Sequence, residues 1–219
     1  MKDKVSTTER YHTFVLLMLA GGFMGSYSYY LKGGVFANAE TANLLILSLN
    51  AASADWSGCA RVLVPILTFL FGSFLSEVMI DRLKKAWPPL LITCEIILLS
   101  LLSLLPESTP QTIYHVSIAL ISSMQFNTFR QARGVALSTL FCTAHLRGFG
   151  AGLYHAMKDR DSDVLRRALY HIGLILTFVL GAFCCARASR LLGTRTLVLA
   201  VIPLVPVLIE ILRTSGRCN

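Results

Sequence analysis

Apolar runs of bilayer-spanning length dominate this chain. The runs Pro88–Leu105 and Leu197–Leu212 approach the roughly 20 apolar residues that cross a hydrocarbon core of about 30 Å. Only 15% of the 219 residues are charged, whereas a soluble domain carries about 25%. The chain is therefore predicted to be an all-α, polytopic integral membrane protein that forms a single membrane domain over residues 1–219.

Turn residues and charges divide the chain into eight apolar elements. Their approximate ranges are 13–31, 35–53, 58–80, 88–105, 111–128, 138–156, 165–187 and 195–213. The second and sixth are the weakest as spanning helices, because polar residues and glycines interrupt them. We therefore predict six to eight membrane helices or re-entrant segments.

The chain also shows signs of internal duplication. The segment Thr68–Phe74 (TFLFGSF) matches Thr177–Phe183 (TFVLGAF), and Thr41–Leu44 (TANL) matches Thr143–Leu146 (TAHL). The matches occur in the same order with similar shifts. They predict two tandem related halves, about 13–105 and 111–213, a construction frequent in transporters.

The net charge of +8 comes mostly from short basic clusters between the apolar runs. Such clusters are typical of topology signals and of contact with anionic lipid headgroups, and no Lys/Arg tract indicates nucleic-acid binding. If all eight elements span, both termini lie outside, and we favour this arrangement. If the second and sixth are re-entrant, six spans remain and the N-terminus can lie inside.

Polar residues in the second and sixth elements, and at the end of the fifth, are the candidate solute-binding site. They are Asn38, Glu40, Thr41 and Asn43 in the first half, and Gln125, Asn127, Thr143, His145 and Arg147 in the second. If the halves pack about a pseudo-two-fold axis, these segments should meet near the centre. Glu40 and Arg147 are then expected to form an ion pair, which either locks the halves together or contacts the solute. The same polar groups could instead serve only to pack helices.

Glu95 is the ionisable residue that most needs an explanation. It lies near the middle of Pro88–Leu105 with no basic residue beside it, where a charge costs on the order of 3 kcal/mol or more. It is either satisfied by another helix or is linked to proton movement, and we take it as the proton-linked candidate.

Catalytic and metal-binding patterns are poor in this sequence. Gly148–Gly152 (GFGAG) lacks the strand–turn–helix context of a nucleotide loop, and there is no GxSxG or HExxH. The six cysteines form no CxxC pair or His/Cys ligand spacing. We predict no enzymatic activity, no cofactor and no metal site.

The segment AGGFMGSYSYYLKGGVFANAETANLLIL resembles the N-terminal signature of the YoaK-type family of bacterial inner-membrane proteins. The segment SSMQFNTFRQARGVALSTLFCTAHL resembles the second half of that family. The chain departs from the pattern at Gly25, where members carry an acid, and at Ala42 and Ala144, where they carry glycine. Glu40 occupies the place of a methionine. The resemblance implies a class of membrane protein but no settled activity.

These features together predict a small-solute transporter or permease, multi-pass in the bacterial inner membrane. The alternative is a non-transporting scaffold, assembly partner or lipid-binding protein. The solute, the coupling ion and the oligomeric state stay open, and a homodimer is compatible with the sequence.

Overall fold

The computed structural model describes residues 10–132 and 135–215, so Arg133 and Gly134 lie outside the described residues. The all-α prediction is confirmed. The helices are α1 (Tyr11–Leu31), α2 (Glu40–Ala52), α3 (Trp56–Leu83), α4 (Trp87–Leu104), α5 (Gln111–Thr128), α6 (Cys142–Asp159), α7 (Ser162–Leu192) and α8 (Leu204–Ser215). Two short strands, β1 (Gln131–Ala132) and β2 (Val135–Ala136), pair antiparallel between α5 and α6.

Three helical stretches are long and apolar enough to cross a membrane: Tyr11–Leu31, Trp56–Leu104 and Ser162–Thr214. The second contains α3 and α4, which are joined by the 3-10 turn Lys84–Ala86. The third contains α7, the 3-10 segment Gly193–Val201 and α8. The chain reverses in these stretches at residues with positive φ, Lys84 (47°) and Gly193 (54°). The fold is therefore that of a helical membrane protein.

Helix α1 lies at the centre of the fold. Its fully buried side chains include Phe14, Leu17, Met18, Met24 and Tyr27. It packs most extensively against α7, and glycines allow the close approach. A Cβ atom on Gly181 would overlap the carbonyl oxygen of Leu19, and one on Gly22 would overlap that of Phe178. We call this the α1–α7 crossing.

Helices α3 and α5 form a second close contact, which we call the α3–α5 crossing. A Cβ atom on Gly72 would overlap the Ser123 hydroxyl and would lie 3.1 Å from the carbonyl oxygen of Leu120. Gly72 and Gly181 occupy the same position in the two matching segments TFLFGSF and TFVLGAF.

Hydrogen bonds define the directions of α1 and α5. Helix α1 starts at Arg10, whose guanidinium binds Glu210 of α8 at 2.6 Å, and runs to Lys32. There the Lys32 carbonyl accepts from His115, in the second turn of α5, at 2.6 Å. We call these the Arg10 end and the Lys32 end of the molecule. Helix α5 therefore begins at the Lys32 end.

The directions of the remaining long helices follow from side-chain contacts. Thr128, at the end of α5, accepts from Nε1 of Trp87 at the start of α4 (2.8 Å). Ser76, near the end of α3, lies 3.4 Å from the same Thr128 hydroxyl. Helix α3 is therefore parallel to α5, and α4 is antiparallel to both. Tyr11 donates to the Tyr170 carbonyl, so α7 runs parallel to α1, and α8 returns to the Arg10 end.

Helices α2 and α6 do not run from one end of the molecule to the other. After α1, the segment Lys32–Ala39 turns back to the middle of α1, and α2 then leads out again to the Lys32 end, where α3 begins. After α5, the described residues 129–132 and 135–141 also lead back to the middle of α1, and α6 leads back to the Arg10 end, where α7 begins. This path differs from the favoured arrangement with eight crossings, because both interrupted elements return to the end that they left.

Candidate functional site

The two interrupted segments meet at Gly21, the midpoint of α1. From the first, Asn38 donates from Nδ2 to the Gly21 carbonyl at 2.9 Å. From the second, the Thr139 carbonyl oxygen lies 2.8 Å from where a Cβ atom of Gly21 would be. Gly25 makes room for Asn38, because a Cβ atom there would lie 2.8 Å from Oδ1. We call Gly21, Asn38 and Thr139 the central junction.

Two glycines direct the first segment into the fold. Gly33 and Gly34 have φ of 82° and 75°, values that residues with a side chain rarely adopt. The chain reverses direction at these two glycines after α1. Lys32 is buried just before them, with its ammonium 3.7 Å from the centroid of the Tyr114 ring. The chain therefore leaves the helical conformation at these two glycines.

The first turn of α2 carries a partly satisfied polar pair. Asn43 is fully buried and donates to the Phe36 carbonyl (2.5 Å) and to Oε2 of Glu40 (2.9 Å). Oε1 of Glu40 and Oδ1 of Asn43 have no hydrogen-bond partner in the described chain. Thr41 lies on the surface of the fold.

In the second half, His145 is buried in a short hydrogen-bonded chain. Its Nε2 donates to the Ser138 carbonyl (2.9 Å), and its Nδ1 lies 3.0 Å from Nδ1 of His171. Because Nε2 carries the proton in this tautomer, Nδ1 of His145 accepts and His171 donates. The sequence patterns indicated His145 but not His171, which lies on α7 and packs over Gly148 of α6.

The expected ion pair between Glu40 and Arg147 is wrong. Within the described ranges, the ion pairs join Glu210 to Arg10 and His12, Glu77 to Arg130, and Asp163 to Arg166. The physical reason is direction: α2 and α6 leave the central junction toward opposite ends. Arg147 and Thr143 lie on the surface of α6.

Asn127 also lies away from the central junction. It donates to the Ser73 carbonyl (3.2 Å) and to Glu77 (2.9 Å), and its Oδ1 accepts from Arg130 (3.0 Å). These hydrogen bonds join α3 to α5 at the Arg10 end of the molecule. The predicted set therefore separates into an interior group and a group at the end or the surface. The interior group is Asn38, Glu40, Asn43, Gln125 and His145, and the others are Thr41, Asn127, Thr143 and Arg147.

Several buried polar side chains in the interior have no hydrogen-bond partner among the described residues. They include both oxygens of Glu95, both polar atoms of Gln125, and the hydroxyls of Ser122 and Thr139. All four residues are 0% exposed. Most buried polar groups in proteins are paired, so this group needs an explanation. Only Glu95 and Gln125 were in the predicted site, since a lone Ser or Thr in an apolar run gives no sequence signal.

The depth of Glu95 follows from the α4–α5 hairpin. Both helices have 18 residues, and the Trp87–Thr128 hydrogen bond aligns the start of one with the end of the other. Glu95 is eight residues after Trp87, about 12 Å along a helix about 27 Å long. The carboxyl group is therefore near mid-depth, where an unpaired charge is most costly.

Two clefts open near the ends of the molecule. One, of about 480 Å³, lies between the start of α1 and the end of α8, and the other, of about 590 Å³, lies between the α4–α5 turn and the end of α7. Neither cleft is lined by a residue of the predicted solute site. In the described residues, no group of three or more His, Cys, Asp or Glu could hold a metal ion.

The helices and their polar interior define the class, a helical membrane protein. The family model described as "Protein of unknown function (DUF1275)" matches residues 13–209, so the chain belongs to this family. No curated protein matches the chain, and no solved structure matches it. The family membership is consistent with the YoaK-type resemblance.

Proposed function

We propose that this protein transports a small polar solute across the membrane, and that the central junction is the closed centre of its pathway. The observation that carries the proposal is the meeting of two interrupted segments, from opposite ends, at the midpoint of α1. Non-helical backbone at membrane depth is tolerated where it is buried in protein or lines a cavity. In transporters such interrupted helices form the solute and ion sites.

We further infer six crossing helices and two re-entrant segments, arranged as an inverted repeat. Helix α1 packs against α7, while α5 packs against α3, so the first helix of each half contacts the third helix of the other. The contacting positions also correspond. Leu19 faces Gly181 in one crossing, and Leu120 faces Gly72 in the other. Since α1 and α5 run in opposite directions, the halves are related by inversion of topology, rather than in parallel.

The distribution of bases orients this arrangement. The Arg10 end carries Arg10, Arg82, Lys84, Lys85, Arg130, Lys158, Arg160, Arg166, Arg167 and Arg213, and the Lys32 end carries Lys32, Arg61, Arg187, Arg190 and Arg195. The positive-inside rule favours the Arg10 end as the cytoplasmic side. The start of α1 and the end of α8 then both lie on the inner side of the bacterial inner membrane that the family resemblance implies.

Glu95 is the residue that we assign to proton coupling. An isolated carboxylate at this depth would be very costly, so the closed state accommodates the neutral acid. Titratable side chains on the elements packed against α4 include Tyr114 and His115 of α5, Arg195 of the 3-10 segment and Glu210 of α8. His115 and Glu210 are bound to Lys32 and Arg10, and Arg195 is exposed. Release of the proton therefore requires an opened conformation.

Proton uptake into vesicles tests this proposal. The purified protein is placed in liposomes that contain a pH-sensitive dye, and a potassium gradient with valinomycin sets an inside-negative potential. We expect uptake above that of empty liposomes, and loss of most of it in Glu95→Gln. The control is Glu107→Gln, at an exposed turn after α4, which should retain uptake. Equal uptake in wild type and Glu95→Gln would contradict the role of Glu95.

A non-transporting scaffold is the second candidate, and one observation favours it. Asn38, Asn43 and His145 bind groups of the protein itself, and neither cleft reaches them. A library of small solutes distinguishes the two functions. A transporter should be stabilised against heat by its solute, and Asn43→Ala should remove that effect. A scaffold should show neither solute stabilisation nor flux.

A further inference from the structure

A cleft opens at the Arg10 end of the molecule, between α1 and α8. Its walls are Arg10, at the start of α1, and Pro206, Ile209, Glu210, Arg213 and Thr214 of α8. Its volume is about 480 Å³ and it opens to the outside of the fold. None of these residues belongs to the central junction.

The polarity of the cleft changes along α8. Pro206, Ile209 and Arg213 are three and four residues apart, so they lie on one face of the helix. Arg213 is about 10 Å closer to the end of the molecule than Pro206, at 1.5 Å per residue. Ile209, between them, is 44% exposed. The cleft is therefore apolar in its deeper half and polar at the Arg10 end.

The charges in the cleft leave one cation free. The Glu210 carboxylate is occupied, because Oε1 accepts from Arg10 at 2.6 Å and Oε2 is bound by His12. The Thr214 hydroxyl donates to the Glu210 carbonyl at 3.0 Å. Arg213 forms no ion pair with any described residue. Among its described lining residues the cleft thus holds two guanidinium groups and one carboxylate, which leaves a net positive charge.

We propose that this cleft binds an anionic phospholipid, with the phosphate at Arg213 and Arg10 and an acyl chain over Ile209 and Pro206. A water-soluble anion would gain nothing from the apolar half of the cleft. A zwitterionic lipid carries its own cation and neutralises its phosphate. The site depends on the Arg10 end being at the membrane surface, where the cytoplasmic leaflet is anionic, and it does not depend on solute transport.

Lipid titrations of the purified protein, followed by native mass spectrometry, test the site. Phosphatidylglycerol should bind more tightly than phosphatidylcholine. Arg213→Gln should weaken phosphatidylglycerol binding about fivefold, the equivalent of about 1 kcal/mol for one basic residue at an anionic surface. Arg213→Lys should retain most of the binding, because it keeps the charge. Ile209→Gln should weaken both lipids, because it removes acyl-chain contact.

Arg195→Gln is the matched control, since Arg195 is an exposed base lining the other cleft. We expect phosphatidylglycerol binding in this variant to stay within about twofold of wild type, well short of the loss expected for one basic contact. Inorganic phosphate at millimolar concentration should not compete. Unchanged binding in Arg213→Gln, equal losses in the two variants, or competition by phosphate would overturn the proposal.

Discussion

The α1–α7 and α3–α5 crossings both have glycine at the same repeat position. They differ in which atom of the partner helix excludes a side chain there. At Gly181 the obstacle to a side chain is the main chain of α1, the carbonyl oxygen of Leu19. At Gly72 the nearest obstacle is the hydroxyl of Ser123, a side chain that can rotate away. The backbone of a packed helix cannot yield in this way. The α1–α7 crossing is therefore the more rigid of the two, and it is also the one that carries the central junction.

Buried polar groups near the two crossings differ in whether they have hydrogen-bond partners. Near the α1–α7 crossing, Asn38 is anchored to the Gly21 carbonyl. On α5, Ser122 and Gln125 are fully buried without partners among the described residues. At the central junction Asn38 is paired, but the Thr139 hydroxyl is also fully buried without a partner among the described residues. Because the α3–α5 crossing is the less rigid of the two, we infer that Ser122 and Gln125 are the unpaired groups that rearrange when the pathway opens.

The largest effect is expected from Gly181→Ala. The new methyl group meets a backbone oxygen, so the helices must separate, at a cost of about 3 kcal/mol. Thermal unfolding in detergent measures this loss. Gly150→Ala is the control, because a Cβ atom there meets nothing within 4 Å. Equal stability of the two variants would show that the α1–α7 crossing is not tightly closed.

Asn38→Ala should have the next largest effect. It leaves the buried Gly21 carbonyl without its side-chain donor and should cost about 1–2 kcal/mol. Thr41→Ala, three residues away on the surface, should change stability by less than about 0.5 kcal/mol. The same unfolding assay compares the pair. A silent Asn38→Ala would mean that the junction is not anchored.

Gly72→Ala should cost about 1 kcal/mol, clearly less than Gly181→Ala, because Ser123 can move. The double variant Gly72→Ala/Ser123→Ala should recover part of this loss, since the obstructing hydroxyl is gone. A double-mutant cycle measures the coupling. If the two glycine variants lose the same stability, the contrast between the crossings fails.

Gln125→Leu should produce the smallest effect and the opposite sign. Replacing an unpartnered buried amide with an apolar group of similar size removes an unpaired donor and acceptor, so stability should stay level or rise by up to about 1 kcal/mol. Transport should fall in the same variant, if Gln125 serves the pathway. A loss of stability would show that this amide is paired after all.

The helices could be predicted from the sequence, because long continuous apolar runs indicate segments buried in a membrane. Predicted elements such as 111–128 and 88–105 agree with α5 and α4 to within a residue. The interruptions were predicted from the polar residues and glycines of the second and sixth elements. Hydropathy reports composition, however, and says nothing about the direction in which a short helix leaves the interior.

That missing direction explains the main errors. Glu40 and Arg147 matched as repeat partners, but their helices leave toward opposite ends. Thr139 and His171 were missed because their roles depend on contacts with α1 and α6 that are distant in sequence. Local patterns cannot report such contacts.

Thiol labelling at the ends of α2 and α6 tests the proposed topology most directly. In a cysteine-free background, Ser53→Cys marks the α2–α3 turn and Asp161→Cys marks the α6–α7 turn. With two re-entrant segments, these turns lie on opposite sides of the membrane. A membrane-impermeant maleimide should therefore label Ser53→Cys in intact cells, and Asp161→Cys only after permeabilisation. If both are labelled in intact cells, α2 and α6 cross the membrane and the inverted arrangement is wrong.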